Sequence, residues 1–119
     1  MKFCAIVIAD EKCDRLEKKL IEIIEKLRQV KSSYLYIIIR GAGVISTIPR
    51  VREALLSNLN VGIRLYIFNS CQELEKILDT SVRELGKVDQ VYLIVDDSGL
   101  RDSALRVLNK LGIHEVSLC

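Results

Sequence analysis

Short apolar runs alternate with amphipathic segments along this chain. Four runs are nearly continuous in apolar residues and rich in β-branched and aromatic side chains: Phe3–Ala9, Tyr34–Ile39, Ile63–Phe68 and Val91–Val95. Continuous apolar runs of this length are typical of strands covered on both faces, as in a parallel sheet. A weaker run over residues 115–118 predicts a fifth strand.

The segments between the first three runs have apolar residues at helical spacing. Asp14 and Glu17 are spaced as a capping box, which predicts that a first helix begins there and ends near residues 30–33. Thr47 and Pro49 mark the expected start of a second helix.

Two further helices are predicted after the third run. Ser70 and Glu73 form another capping box, and Gly86 is the expected end of that helix. The last helix is expected to begin within residues 97–99, with Gly112 after it. The resulting order, β-α-β-α-β-α-β-α-β, predicts a three-layer α/β sandwich around one mainly parallel five-stranded sheet with right-handed crossovers.

Length and composition agree with a single domain over residues 1–119. Half of the residues are apolar, which is sufficient for one core. The composition is rich in Ile, Leu, Val, Lys, Arg and Glu and poor in Gln, Met and Trp, a usage that favours a thermophilic, archaeal-like source.

Charge and hydropathy narrow the classes of partner. The net charge is only +2, with positive and negative residues interleaved, so the sequence does not favour binding to nucleic acid or to an anionic membrane. No apolar run is long enough to cross a bilayer, and the opening MKFCAIVIAD lacks the pattern of a signal peptide. We therefore expect a cytoplasmic protein.

Candidate chemistry concentrates in the loops after the strands. In open parallel sheets, ligands bind beyond the carboxyl ends of the strands, so these loops should lie along one edge. The candidate binding residues in them are Asp10, Arg40, Gly41, Gly43, Asn69, Ser70 and Asp97.

Cys71 is the candidate nucleophile. If Ser70 is the helix cap, Cys71 is the first helical residue, where unpaired N–H groups and the helix dipole favour a thiolate. The alternative is that a small apolar side chain fills the junction between strand and helix, since cysteine is among the most buried residue types. Position alone leaves both interpretations open.

The other cysteines are weaker candidates. Cys13 would be a resolving thiol for Cys71 if the first and third strands were neighbours, and is otherwise an exposed loop residue. Cys4 lies within the first strand and is expected in the core, and Cys119 ends the chain. Because no two cysteines are closely spaced, a structural zinc site is not expected.

The glycines and carboxylates have ordinary structural interpretations as well. The RGAG segment, with Arg40, offers one cation and close backbone approach to an anion, but Gly41 and Gly43 also suit a turn with unusual backbone angles. Asp96 and Asp97 offer oxygen ligands for a metal, whereas Asp97 is also a natural helix cap.

Several segments resemble the DsrE-like family of small sulfur-relay proteins. They are MKFCAIVIAD, the Gly-Val of RGAGV, the start of VGIRLYIF, the cysteine after that strand, and SGL at residues 98–100. The resemblance implies that Cys71 accepts and passes on a persulfide sulfur within an oligomer, with protein partners and without a metal or organic cofactor. Cys71 stands a few residues beyond the position of the family's cysteine.

Two other functions are compatible with the sequence. The first is a non-catalytic module of the same fold that binds a protein or an anionic ligand at the sheet edge. The second is nucleic-acid binding, because IIIRGAGVISTIPRVREAL resembles the loop region of Alba-like proteins, with Arg40 and Arg50 as phosphate contacts.

Overall fold

The computed structural model describes residues 2–30, 32–41, 53 and 61–119. Within these ranges, the chain forms β1 (Phe3–Asp10), α1 (Leu16–Arg28), β2 (Ser33–Arg40), β3 (Val61–Phe68), α2 (Cys71–Leu85), β4 (Gln90–Ile94), α3 (Ser98–Lys110) and β5 (Val116–Leu118). All five predicted strands are confirmed. Of the helix predicted from Thr47 and Pro49, Glu53 alone is described and is helical, and the rest lies outside the described residues.

The strands form one parallel sheet in the order β3-β2-β1-β4-β5. From β1 the chain first moves outward through β2 to β3, and it then returns to the other side of β1 to form β4. The sheet therefore changes winding direction between β1 and β4. In parallel sheets, the crevice above such a change of direction is the usual place for a ligand.

Helices cover both faces of the sheet, and each face has its own apolar core. Leu20, Ile24 and Leu27 of α1 pack on one face, whereas α2 and α3 pack on the other through residues such as Leu74 and Leu108. β1 contributes to both cores and is buried from Cys4 onward, which is why its sequence is continuously apolar. The fold is the predicted three-layer α/β sandwich.

The predicted ends of α2 and α3 are confirmed. The Ser70 hydroxyl accepts the Glu73 N–H at 3.2 Å, and the Glu73 carboxylate accepts the Asn69 N–H at 3.3 Å. Gly86 follows α2 with a φ of 76°, a backbone conformation that favours glycine. Asp97 caps α3 through the N–H groups of Gly99 and Leu100.

The predicted capping box of α1 is wrong. α1 begins at Leu16 with Arg15 as its cap residue, and the Arg15 side chain makes no capping hydrogen bond. The reason is a backbone turn in which the Cys13 N–H donates to the Asp10 carbonyl and the Leu16 N–H donates to the Cys13 carbonyl. This turn brings the chain into the helix one residue later than a cap at Asp14 requires.

Candidate functional site at the carboxyl edge of the sheet

The loops that follow β1, β2 and β3 meet at one edge of the sheet, as predicted. The Glu11 N–H donates to the Arg40 carbonyl at 3.2 Å, and the Gly41 N–H donates to the Phe68 carbonyl at 3.4 Å. Gly41 has a φ of 101°, and a Cβ at this position would collide with the Glu11 carboxylate. The turn interpretation of Gly41 is therefore confirmed, whereas Gly43 lies outside the described residues.

Arg40 connects the ends of three elements. Its guanidinium donates hydrogen bonds to the Asp10 carboxylate at the end of β1 and, at 3.1 Å, to the Asp97 carboxylate that caps α3. The hydrogen bond with Asp10 is the main cause that raises the pKa of Arg40. Both carboxylates bond to the same nitrogen, Nη2, and together they compensate the positive charge that would attract an anionic ligand. The structure therefore favours a structural role for Arg40 over the anion contact expected from sequence.

Hydrogen bonds from neighbouring groups stabilise the charged form of Asp97. The Leu100 N–H contributes most, followed by the Arg40 guanidinium, and together they lower the pKa of Asp97 below its ordinary value of 3.8. Both groups bond to the charged form, so protonation of Asp97 weakens the α3 cap and the link to β2 together.

We expect Asp97 to contribute to the acid sensitivity of the fold. Because its folded pKa lies below 3.8, its contribution to stability is present above about pH 4 and is lost as the pH falls through the folded value. Asp97→Asn should unfold with a shallower dependence on pH below about pH 4 than the unmodified protein. Urea unfolding over a pH series measures this. Asp102→Asn, an exposed change in the same helix, should retain the original slope.

A second ion pair joins the chain after β1 to the chain after β4. The Arg15 guanidinium donates to the Asp96 carboxylate and lies 3.8 Å from the Cys13 sulfur. Arg15 has no distinguishing signal in the sequence, because its partner is apparent only when β4 is known to lie beside β1. Asp96 and Asp97, considered above as metal ligands, are both paired with arginines. Within the described ranges, no three His, Cys, Asp or Glu side chains converge in a potential metal site.

Cys71 occupies the position predicted for it. It is the first residue of α2, directly after the Ser70 cap, and its side chain is exposed. The alternative interpretation, a cysteine buried at the junction, is therefore wrong. Because β3 is at the outer edge of the sheet, Cys71 lies away from the crevice between β1 and β4.

Cys13 does not fit the role of a resolving thiol. β2 lies between β1 and β3, so the strands that precede Cys13 and Cys71 are not neighbours. Cys13 is only 4% exposed and packs in the α1 core, because the backbone turn before α1 directs it inward. Its alternative description as an exposed loop residue is therefore also wrong.

Cys4 and Cys119 are shielded to different degrees. Cys4 is buried in β1, as predicted, and burial is the main cause that raises the pKa of its thiol. Cys119 is partly buried against the α1 core, and burial raises its pKa as well. Cys71 is thus the exposed cysteine of the four.

The fold has a counterpart among solved structures. It is similar to the crystal structure of a hypothetical protein from Sulfolobus tokodaii, with 16% sequence identity, coverage of 99% of this chain and 94% of that chain, and a TM-score of 0.58. An identity this low supports the fold alone. The sequence matches no protein-family model and no curated protein. No helix in the described part of the chain is long and apolar enough to cross a membrane.

Proposed function

We propose that this chain is a DsrE-like sulfur-handling protein in which Cys71 accepts a sulfane sulfur and passes it on. The observation that carries the proposal is the exposure of Cys71 at the first position of α2, beyond the carboxyl end of β3. A nucleophilic thiol must be accessible to its donor. Cys71 meets this requirement, whereas Cys4 and Cys13 are buried.

The transfer needs no change of overall oxidation state. The Cys71 thiolate attacks the terminal sulfur of a donor persulfide, a new S–S bond forms at Cys71, and the donor's S–S bond breaks. The donor leaves as a thiolate and takes up the proton that Cys71 has lost. An acceptor thiolate reverses these steps by attacking the outer sulfur on Cys71. Nucleophilic catalysis of this kind requires neither a metal nor an organic cofactor.

The start of α2 places Cys71 at the end of the helix that carries a partial positive charge. The capping box holds this end in place, because the Ser70 carbonyl accepts the Leu74 N–H at 3.0 Å while the Ser70 hydroxyl accepts from Glu73. Asn69 and Ser70 therefore position Cys71 through the backbone.

The location of Cys71 favours protein donors and acceptors. A thiol at the outer edge of a sheet is reached by a persulfide on another protein surface without entry into an enclosed cavity. The proposal therefore includes protein partners, among them further copies of this chain, in the cytoplasm. A role in binding an anion through Arg40 is less well supported, since Asp10 and Asp97 already compensate its charge.

Sulfur loading tests the proposal directly. After exposure of the folded protein to a small-molecule persulfide, mass spectrometry should show the mass of one added sulfur on the peptide containing Cys71, removable by dithiothreitol. Cys71→Ser should not take up this sulfur, whereas Cys119→Ser should do so normally. Sulfur on another cysteine, or equal loading of Cys71→Ser, would disprove the role of Cys71.

A further inference from the structure

β3 is the longer of the two edge strands of the sheet. It is the outermost strand on its side, and no strand of the described residues pairs with its outer edge. It extends over eight residues, Val61–Phe68, and contains neither proline nor lysine, the residues that commonly prevent an edge strand from pairing. The opposite edge strand, β5, has only three residues. Of the two edges, β3 is therefore the one suited to pairing with a further strand.

The backbone groups of alternate residues in β3 point away from β2. The Phe68 carbonyl accepts the Gly41 N–H, so the backbone groups of Phe68 face β2 and the residue that follows it. In a strand, this direction alternates from one residue to the next. Ile63, Leu65 and Ile67 therefore direct their N–H and C=O groups outward. Each of them offers one donor and one acceptor to a strand on that side.

The same three residues have apolar side chains on the α1 face of the sheet. The strand register aligns them with residues of β2 that belong to the α1 core. Ile63 is partly buried against this core, whereas Leu65 and Ile67 are 46% and 43% exposed. Large apolar side chains that are exposed on a long edge strand indicate a surface for association.

This edge is complementary to itself. Two copies related by a two-fold axis present the same strand to each other in opposite directions. With the axis at Leu65, each Leu65 opposes its counterpart, and Ile63 opposes Ile67 of the second copy. All the outward N–H and C=O groups of these residues then form hydrogen-bonded pairs. The exposed apolar side chains of both copies lie together on one face.

The charged side chains on the other face also fit a second copy. With the axis at Leu65, Arg64 opposes Tyr66 of the second copy, and a guanidinium beside a tyrosine ring is a favourable contact. Within each copy, the Glu84 carboxylate accepts hydrogen bonds from the Arg64 guanidinium at 2.7 Å and from the Tyr66 hydroxyl at 3.3 Å. The charge of Arg64 is thus compensated in each copy, and no like charges are placed directly opposite each other.

We propose that β3 pairs antiparallel with β3 of a second copy, so that the two five-stranded sheets join into one across a two-fold axis at Leu65. Because the paired strands run in opposite directions, the two Cys71 thiols lie at opposite ends of the interface, beyond the paired residues. The dimer therefore leaves both thiols apart from each other. It does not depend on the proposed sulfur transfer, and either proposal can fail without the other.

Sedimentation velocity over a range of protein concentrations, with dithiothreitol present, tests this dimer. The unmodified protein should associate reversibly into a species of twice the mass of the chain. Leu65→Lys should raise the dissociation constant about a hundredfold, because two lysines then oppose each other at the axis and the contact between two leucines is lost. Leu118→Lys, the same change at an exposed leucine of β5, should dimerise as the unmodified protein does.

A mixture of two variants tests the position of the axis. At concentrations where the unmodified protein is dimeric, Leu65→Lys and Leu65→Glu should each be monomeric alone and should form a heterodimer when mixed, because a lysine then opposes a glutamate. A monomeric unmodified protein, a mixture that does not associate, or equal weakening by Leu65→Lys and Leu118→Lys would overturn the proposal. A monomer whose unfolding becomes easier with Leu65→Lys would also overturn it, and would identify residues 42–60 of the same chain as the cover of this strand.

Discussion

Iodoacetamide should alkylate Cys71 far faster than Cys4 or Cys13 in the folded protein. Cys71 is exposed at the start of α2, whereas Cys4 and Cys13 are 3% and 4% exposed. A buried thiol reacts only after the structure opens. Unfolding of ordinary domains costs about 5 kcal/mol or more, so the ratio of rates should be at least about 4,000-fold if complete opening is needed.

Cys119 should react at an intermediate rate. It is partly buried against the α1 core, and burial raises the pKa of its thiol, which lowers the thiolate fraction at neutral pH. Timed alkylation followed by peptide mass spectrometry gives the alkylation rates of all four cysteines. In denaturant, the four rates should become similar. A Cys71 thiol that reacts no faster than Cys4 until denaturant is added would contradict the exposure on which the sulfur-handling proposal depends.

The sequence was sufficient to predict the described strands and helices and the edge at which their loops meet. Continuous apolar runs predicted the strands because these strands are covered on both faces. The Ser70 and Glu73 spacing placed Cys71 at a helix start because capping depends on residues close in sequence. Both inferences are local, and the structure confirms both.

The sequence was not sufficient where the outcome depended on strand order. Cys13 was considered as a partner of Cys71, but β2 separates their strands. Arg15 was not identified because its partner, Asp96, is distant in the chain and follows a strand whose neighbour was unknown. The prediction of the α1 cap was wrong for a different reason. A backbone turn between Asp10 and Leu16 leads into the helix in place of a side-chain cap.

The role of Arg40 in the structure differs from the role that its sequence context suggests. A lone arginine beside glycines at the carboxyl edge suggested an anion contact. In the fold, this arginine is only 29% exposed and faces two carboxylates, one of which is almost fully buried. A cation in this setting neutralises charge within the protein, and its removal should therefore affect stability before it affects binding.

Arg40→Met should destabilise the protein by about 3 kcal/mol. The substitution keeps much of the side-chain length but leaves the Asp10 carboxylate, 4% exposed, without its cation. Removal of one partner from a buried ion pair typically costs about 3–5 kcal/mol, and the partial exposure of Arg40 places the expectation at the lower end. Urea unfolding measures this change in the free energy of unfolding. The slope of that free energy against urea concentration should be unchanged.

Arg15→Met provides the matched control for this prediction. Its ion pair with Asp96 joins the same two kinds of side chain at the same edge, but both partners are about half exposed. Exposed ion pairs contribute little to stability, so the free energy of unfolding of this variant should be close to that of the unmodified protein. Adding Asp10→Asn to Arg40→Met should restore part of the lost stability, because the buried charge is then absent. Equal stability of Arg40→Met and Arg15→Met would show that Arg40 does not stabilise the fold and would return it to consideration as a ligand contact.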